Sequence, residues 1–351
     1  RVGVGRWIRQ GKLPRSADLK WGLSPNADQC VTACKHRATR HGRHLHFGHR
    51  GVLSPPPTGA TMFQRFLIGF ALVATACAAA HAQTPTAAPT TTAEADRPRV
   101  ALVLSGGGAR GFAHVGALQA LEEAGMRPDI VVGTSAGSVV GAAYASGMSV
   151  EQIQQAALGV KVSSLLDFTW QPGGFIRGDK LANWANALIG DTRIEDFPIR
   201  FAAVATDLQS AQPMLLDNGS AGRVIQASSA VPGMQVPVAY PGGHLIDGGI
   251  TSLVPVRFAR AMGADVVVAV DIYCQSPRAT AVNVPAVLGK VMQSQSCLIA
   301  APEMAEADVL VAPVVAVPGM SDRASQERAI EAGYRATHAA LAKWRSGTMI
   351  E

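Results

Sequence analysis

Charge is scarce in this sequence: Asp, Glu, Lys and Arg make up 16% of its 351 residues, against 48% hydrophobic residues. That balance supplies ample material for a packed core, in one large domain or two ordinary ones. Cysteine is scarce too, with five in all. Only Cys274 and Cys297 follow residue 83, too few to specify a disulfide scaffold; a pair in an oxidising compartment and two buried thiols are both compatible with them. Internal repeats are absent. The apolar stretch at 66–80 falls short of the ~20 residues that span a bilayer. A formal charge of +6 would raise nucleic acid or an anionic surface as a partner. The charge is unevenly spread, however. Residues 1–61 hold eleven basic and two acidic residues, which leaves the remainder with 20 basic and 23 acidic. The body of the chain is mildly acidic and lacks the basic footprint of a nucleic-acid-binding protein.

Residues 1–61 also lack a sustained apolar period, and the first Met is Met62. The expectation is that 1–61 are an upstream translation artefact or an atypical extension. From Met62 onward the chain has the three parts of a secretory signal: Arg65, the apolar run Phe66–Ala74, and small residues ending in Ala80-His81-Ala82. Residues 62–82 are therefore read as a signal peptide, with a retained anchor as the competing reading and lipid attachment at Cys77 as a lesser one. The expected destination is the periplasm or beyond, including an outer membrane. Residues 83–98, rich in Pro, Thr and Ala, read as a disordered tether.

The fold is expected to start at Arg99. The run Val100–Leu104 is apolar without alternation, as in a strand buried on both faces of a parallel sheet. It leads into Ser105-Gly106-Gly107-Gly108-Ala109-Arg110-Gly111, after which Phe112, Val115, Leu118, Leu121 and Ala124 fall at helical spacing and Gly125 closes the helix. A second apolar strand at 129–132 runs into Gly133-Thr134-Ser135-Ala136-Gly137 and then a small-residue helix to about Ser146. Further helices are expected at about 150–159, 179–189, 220–228 and 322–344. Strands are expected at 201–205, 245–246, 265–271 and 309–311. Strand and helix alternate without a composition break, so a single α/β domain over 99–344 with a short tail at 345–351 is predicted. Residues 165–176 read as an apolar and aromatic loop, either packed into the core or touching acyl chains or a membrane surface.

Two loops at strand carboxyl ends carry the chemistry, because ligands of open α/β sheets bind there. Gly-x-Ser-x-Gly between a strand and a helix lifts a serine hydroxyl out of a tight, strained turn, which marks Ser135 as a nucleophile and Gly133 and Gly137 as the residues that permit the turn. The glycine run fits Gly-x-Gly-x-x-Gly, a dinucleotide fingerprint. The second strand nevertheless ends in Gly133-Thr134-Ser135, where that fingerprint wants an acidic residue for the ribose. The alternative is that its backbone N–H groups form an oxyanion hole beside Ser135. For a base, no histidine stands out: His114 lies one turn into a helix, His244 in a Gly-rich turn, and neither is excluded. Asp247, between Leu245-Ile246 and Gly248-Gly249, is the better candidate. Near its reference pKa of ~4 its carboxylate is ionised at neutral pH and accepts a serine proton if held in reach.

With GGGARG at 106–111, GTSAG at 133–137 and DGG at 247–249 in that order, the chain resembles the patatin-like phospholipases. The resemblance continues through Ala205-Thr206-Asp207-Leu208, Ala227–Pro232 and Met262–Asp265, and covers roughly 99–340. It implies a three-layer α/β fold with a mostly parallel sheet, and a Ser–Asp dyad of Ser135 as nucleophile and Asp247 as proton acceptor. The oxyanion would fall to Gly106, Gly107, Gly108, Arg110 and Gly111, with Gly248 and Gly249 shaping the turn after Asp247. It implies an exported lipid acyl hydrolase with no metal or organic cofactor, a lipid or phospholipid substrate, and transient contact with a membrane surface. A departure is Thr251-Ser252 after DGG, where relatives often carry Asn. An exported binding protein without activity and a nucleotide-binding protein remain the competing readings.

Overall fold

The computed structural model describes residues 97–278, 280–316 and 322–347. The expected extension at 1–61, the signal peptide at 62–82, Cys77, the tether up to residue 96 and the last four residues lie outside the described residues.

Among the described residues, one eight-stranded sheet forms the centre. Its strands are β1 (Val100–Leu104), β2 (Ile130–Thr134), β5 (Arg200–Asp207), β6 (Pro213–Leu216), β7 (Val238–Tyr240), β8 (Gly243–Asp247), β9 (Val266–Val270) and β10 (Val309–Val311). Strands β3 (Phe168–Gln171) and β4 (Gly174–Ile176) pair only with each other, as a separate hairpin. The order of the main sheet is β10-β9-β1-β2-β5-β8-β7, with β6 on β5. From β10 to β5 every pairing is parallel; β6, β7 and β8 add antiparallel pairings. The parallel part is built from the continuous apolar runs that the sequence shows, because helices cover both of its faces.

The alternation along β1 shows the three layers. Leu102 and Leu104 face one cluster with residues of α1 (Phe112–Glu123), α2 (Ala136–Ala145), α3 (Val150–Gly159), α4 (Asp179–Ile189), α5 (Ala221–Ser228) and α8 (Arg323–Arg345). Ala101 and Val103 face the other, with residues of α6 (Val256–Ala261) and Ala300 of α7 (Val284–Ala305). The mostly parallel sheet flanked by helices is the expected architecture. The sequence reading did not place β6, β7, the hairpin or α7.

The closest helix contact in the first layer joins α1 and α8. A side-chain carbon on Gly333 would sit 1.9 Å from the Ala113 carbonyl oxygen, and one on Gly116 would sit 1.8 Å from that of Ile330. Two glycines thus let the backbones touch, and any larger residue must push them apart. Gly333→Val is expected to cost about 3 kcal/mol, and thermal denaturation should show Tm lowered by roughly 6–12 °C.

Candidate active site

The elbow at Ser135 is built by three local constraints. Strand β2 ends at Thr134 and α2 begins at Ala136, so Ser135 alone makes the turn, with φ 51° and ψ −118°. That is left-handed territory, uncommon and strained for a residue with a side chain. Its carbonyl accepts from the Ser138 amide at 2.9 Å and the Ser138 hydroxyl at 2.6 Å. Its amide donates to the Ser228 hydroxyl at 2.9 Å, which itself donates to the Val204 carbonyl at 2.7 Å. Gly137 lets the start of α2 lie against β1: a side-chain carbon there would fall 2.1 Å from the Leu104 carbonyl oxygen. Ser228 was legible in the sequence only as part of a small-residue stretch, with no role attached.

Asp247 reaches the same place through strand β5. Val204 of β5 pairs with Thr134 of β2 on one edge and with Leu215 of β6 on the other; the next residue, Ala205, pairs with Asp247 and Met214. Since β6 occupies one edge over both residues, Thr134 and Asp247 are consecutive neighbours on the opposite edge. The chain turns after Asp247 into a short helical turn at Gly248–Ile250, and the Gly249 amide donates to the Asp247 carboxylate at 2.7 Å. Burial raises the Asp247 pKa to about 6, while the neighbouring Ser135 hydroxyl and that amide pull it down. The expected value near 4 is thus corrected, yet the group is still ionised at neutral pH. Both side chains are buried, Ser135 at 8% and Asp247 at 7% exposure.

The glycine loop runs beside them, after β1. The Gly106 amide is taken by the Leu253 carbonyl at 3.1 Å, so it has no free donor. Gly107 precedes a short helical turn over Gly108–Gly111, and among the described residues the amides of Gly107 and Gly108 meet no acceptor. Gly108 and Gly111 line the same cavity as Ser135. Arg110 points elsewhere: its guanidinium donates to the Val315 and Pro277 carbonyls, both at 3.3 Å, and lies over the Tyr273 ring at 5.2 Å. It pins the 273–277 loop to the glycine loop.

Neither histidine joins the site. His114 is fully buried with its Nε2 2.9 Å from the Ser105 carbonyl, and burial pushes its pKa down to about 4. His244 lies on β8 beside Gln209. Ser135 opens onto a cavity of about 280 Å³ lined by apolar side chains that include Val139, Val162, Leu166, Ile176, Leu181 and Trp184. The aromatic side chains of the hairpin stand outside it: Phe168, Trp170 and Phe175 are 75%, 94% and 57% exposed, which removes the core-packing alternative for them. Cys274 and Cys297 are joined in a disulfide that ties the loop after β9 to α7.

The model of the family described as patatin-like phospholipase matches residues 102–260, a span containing both side chains and both glycine motifs. This domain belongs to the patatin-like phospholipase family. The lysophospholipase nte1 of Aspergillus fumigatus is 37% identical over 179 residues, covering 49% of this chain and 12% of that protein. Patatin-like phospholipase domain-containing protein 6 of Homo sapiens is 37% identical over 184 residues, 50% of this chain and 13% of its own length. An uncharacterized NTE family protein of Mycobacterium tuberculosis is 37% identical over 177 residues, 50% of this chain and 49% of its own. The chain thus spans from about an eighth to about half of these relatives. Among solved structures, VipD from Legionella pneumophila superposes with a TM-score of 0.53 at 16% identity, covering 70% of this chain and 67% of that one, a likeness of fold.

The raised pKa of Asp247 in the patatin-like domain has a consequence for stability. Between the unfolded value near 3.8 and the folded value near 6, the folded state binds the extra proton, so stability falls as pH rises through that window. Asp247→Asn removes the buried charge. Its Tm is expected to exceed the parent's at pH 8, by the equivalent of up to about 3 kcal/mol, and to match it at pH 4, as calorimetry at the two pH values would read.

Proposed function

We propose that the protein is an exported serine acyl hydrolase that cleaves fatty-acyl esters of phospholipids or related lipids through a Ser135–Asp247 dyad. The observation that carries this reading is the Ser135 hydroxyl on its strained elbow, beside the buried Asp247 carboxylate whose pKa it lowers, and open to an apolar cavity. Lipid hydrolysis is in the names of two relatives, the lysophospholipase and the phospholipase-domain protein. The disulfide fits an oxidising compartment and so supports export, as does the signal-like segment at 62–82.

In this mechanism the Ser135 hydroxyl oxygen attacks the ester carbonyl carbon while its proton passes to the Asp247 carboxylate. The free amides of Gly107 and Gly108 hold the tetrahedral oxyanion; Gly106 is spent on Leu253 and Arg110 acts by holding the loop. Collapse expels the alcohol, which takes the proton from Asp247, and leaves an acyl-serine. Water then attacks the acyl carbon, giving a proton to Asp247, and the fatty acid leaves as that proton returns to the Ser135 oxygen. A pKa near 6 suits a base that must both take and return a proton near neutrality. The acyl chain lies in the apolar cavity, and the exposed hairpin touches the lipid surface from which it is drawn.

Fluorophosphonate labelling with phospholipid turnover tests the reading. Stoichiometric labelling of the parent is expected, none of Ser135→Ala, and a fall in kcat of about 10²–10⁴ for Asp247→Asn. Labelling that persists in Ser135→Ala, or near-parental turnover by Asp247→Asn, would remove the dyad.

A further inference from the structure

Helix α7 is apolar where it should not be. As the crossover from β9 to β10 it starts at the carboxyl edge of the sheet, the edge that carries Ser135. From Gln293 onward it is docked: Gln293 donates to the Tyr273 carbonyl at 2.9 Å and the Ser276 carbonyl at 3.3 Å, Cys297 is bonded to Cys274, and the Ser252 hydroxyl donates to Glu303. Before Gln293 the helix is not. None of residues 281–292 is buried, and Val284, Leu288 and Val291 form a stripe at helical spacing with exposures of 72%, 58% and 47%, which Leu298, 76% exposed, continues past the disulfide. A helix segment apolar on most of its surface is ordinarily covered by something.

Charge says what covers it. From Ile272 to Pro302 the sequence has no acidic residue and two basic ones, Arg278 and Lys290. The hairpin on the other rim of the site is apolar with little net charge: residues 160–177 carry Lys161 and Arg177, Arg177 lies 3.9 and 3.7 Å from the carboxylates of Asp167 and Asp179, and Asp167 is buried and occupied by the amides of Gly178, Asp179 and Lys180. Both rims are therefore apolar, and the α7 rim is basic, on a body that is net acidic. That combination is complementary to an anionic phospholipid surface, in which aromatic side chains such as Trp170 settle at the polar boundary. Among the described residues no helix is long and apolar enough to cross a membrane.

We propose that the first half of α7 and the β3–β4 hairpin are two feet that seat the carboxyl edge of the sheet on an anionic phospholipid bilayer, with the mouth of the Ser135 cavity between them. The disulfide and Gln293 hold the α7 foot in register with the Tyr273 loop, which Arg110 links to the glycine loop. This rests on the lipid-hydrolase reading of the site, and names the surface that delivers its substrate.

Vesicle flotation of the full chain in a Ser135→Ala background tests it without hydrolysis. The protein is expected to float with vesicles of phosphatidylglycerol and phosphatidylethanolamine, and at least tenfold less with phosphatidylcholine alone or at high salt. Adding Leu288→Asp with Val291→Asp should lower the bound fraction at least tenfold, and Trp170→Ser should lower it separately. With Ser135 restored, the Asp pair should leave fluorophosphonate labelling at the parental rate, which separates a lost foot from a misfolded site. No flotation of the Ser135→Ala protein overturns the proposal, as does unchanged flotation of the Asp pair. An Asp pair that turns a dimer into a monomer in sedimentation while still floating also overturns it, since a second copy would then be what covers α7. Flotation of a protein that hydrolyses no ester would sink the hydrolase reading alone.

Discussion

The ladder of β5 is the constraint on which the site depends. One strand pairs its residue 204 with the end of β2 and its residue 205 with the end of β8, on the same edge. Backbone hydrogen bonding, not a side-chain contact, therefore sets how far Ser135 stands from Asp247. Because register in a buried sheet cannot slip by one residue without turning every side chain over, the two groups are positioned as firmly as the core itself.

Around that ladder, strain and burial are offset by specific groups. The left-handed turn at Ser135 is held from both sides, its amide by Ser228 and its carbonyl by Ser138. Burial makes the Asp247 carboxylate a stronger base than an exposed one, and the Gly249 amide with the serine hydroxyl keeps it ionised at neutral pH. The helices on the first face supply the stability that this costs, through the glycine-mediated contact of α1 with α8. The same face carries the apolar cavity, so cavity and core are continuous.

How much of this was legible in the sequence follows from burial. Strands β1, β2, β5 and β9 lie between helix layers, and a strand buried on both faces writes itself as an unbroken apolar run. The two glycine motifs were legible because turns of this kind admit few residues. Strands β6 and β7 are short and carry no such run. The hairpin and α7 went unplaced for the opposite reason: many of their apolar side chains face outward, so hydrophobic pattern no longer reports the core. Ser228 and the engaged amide of Gly106 were invisible because their roles are set by neighbours from distant parts of the chain, Ser135 and Leu253.

The direct test of the Ser135–Asp247 pair is the pH dependence of the rate at which a fluorophosphonate labels Ser135. The account predicts a single acid limb with its midpoint near pH 6, where Asp247 ionises, and its disappearance in Asp247→Asn, which would label slowly at every pH. A limb that survives in the Asp247→Asn protein would contradict it and assign the serine's proton to another group.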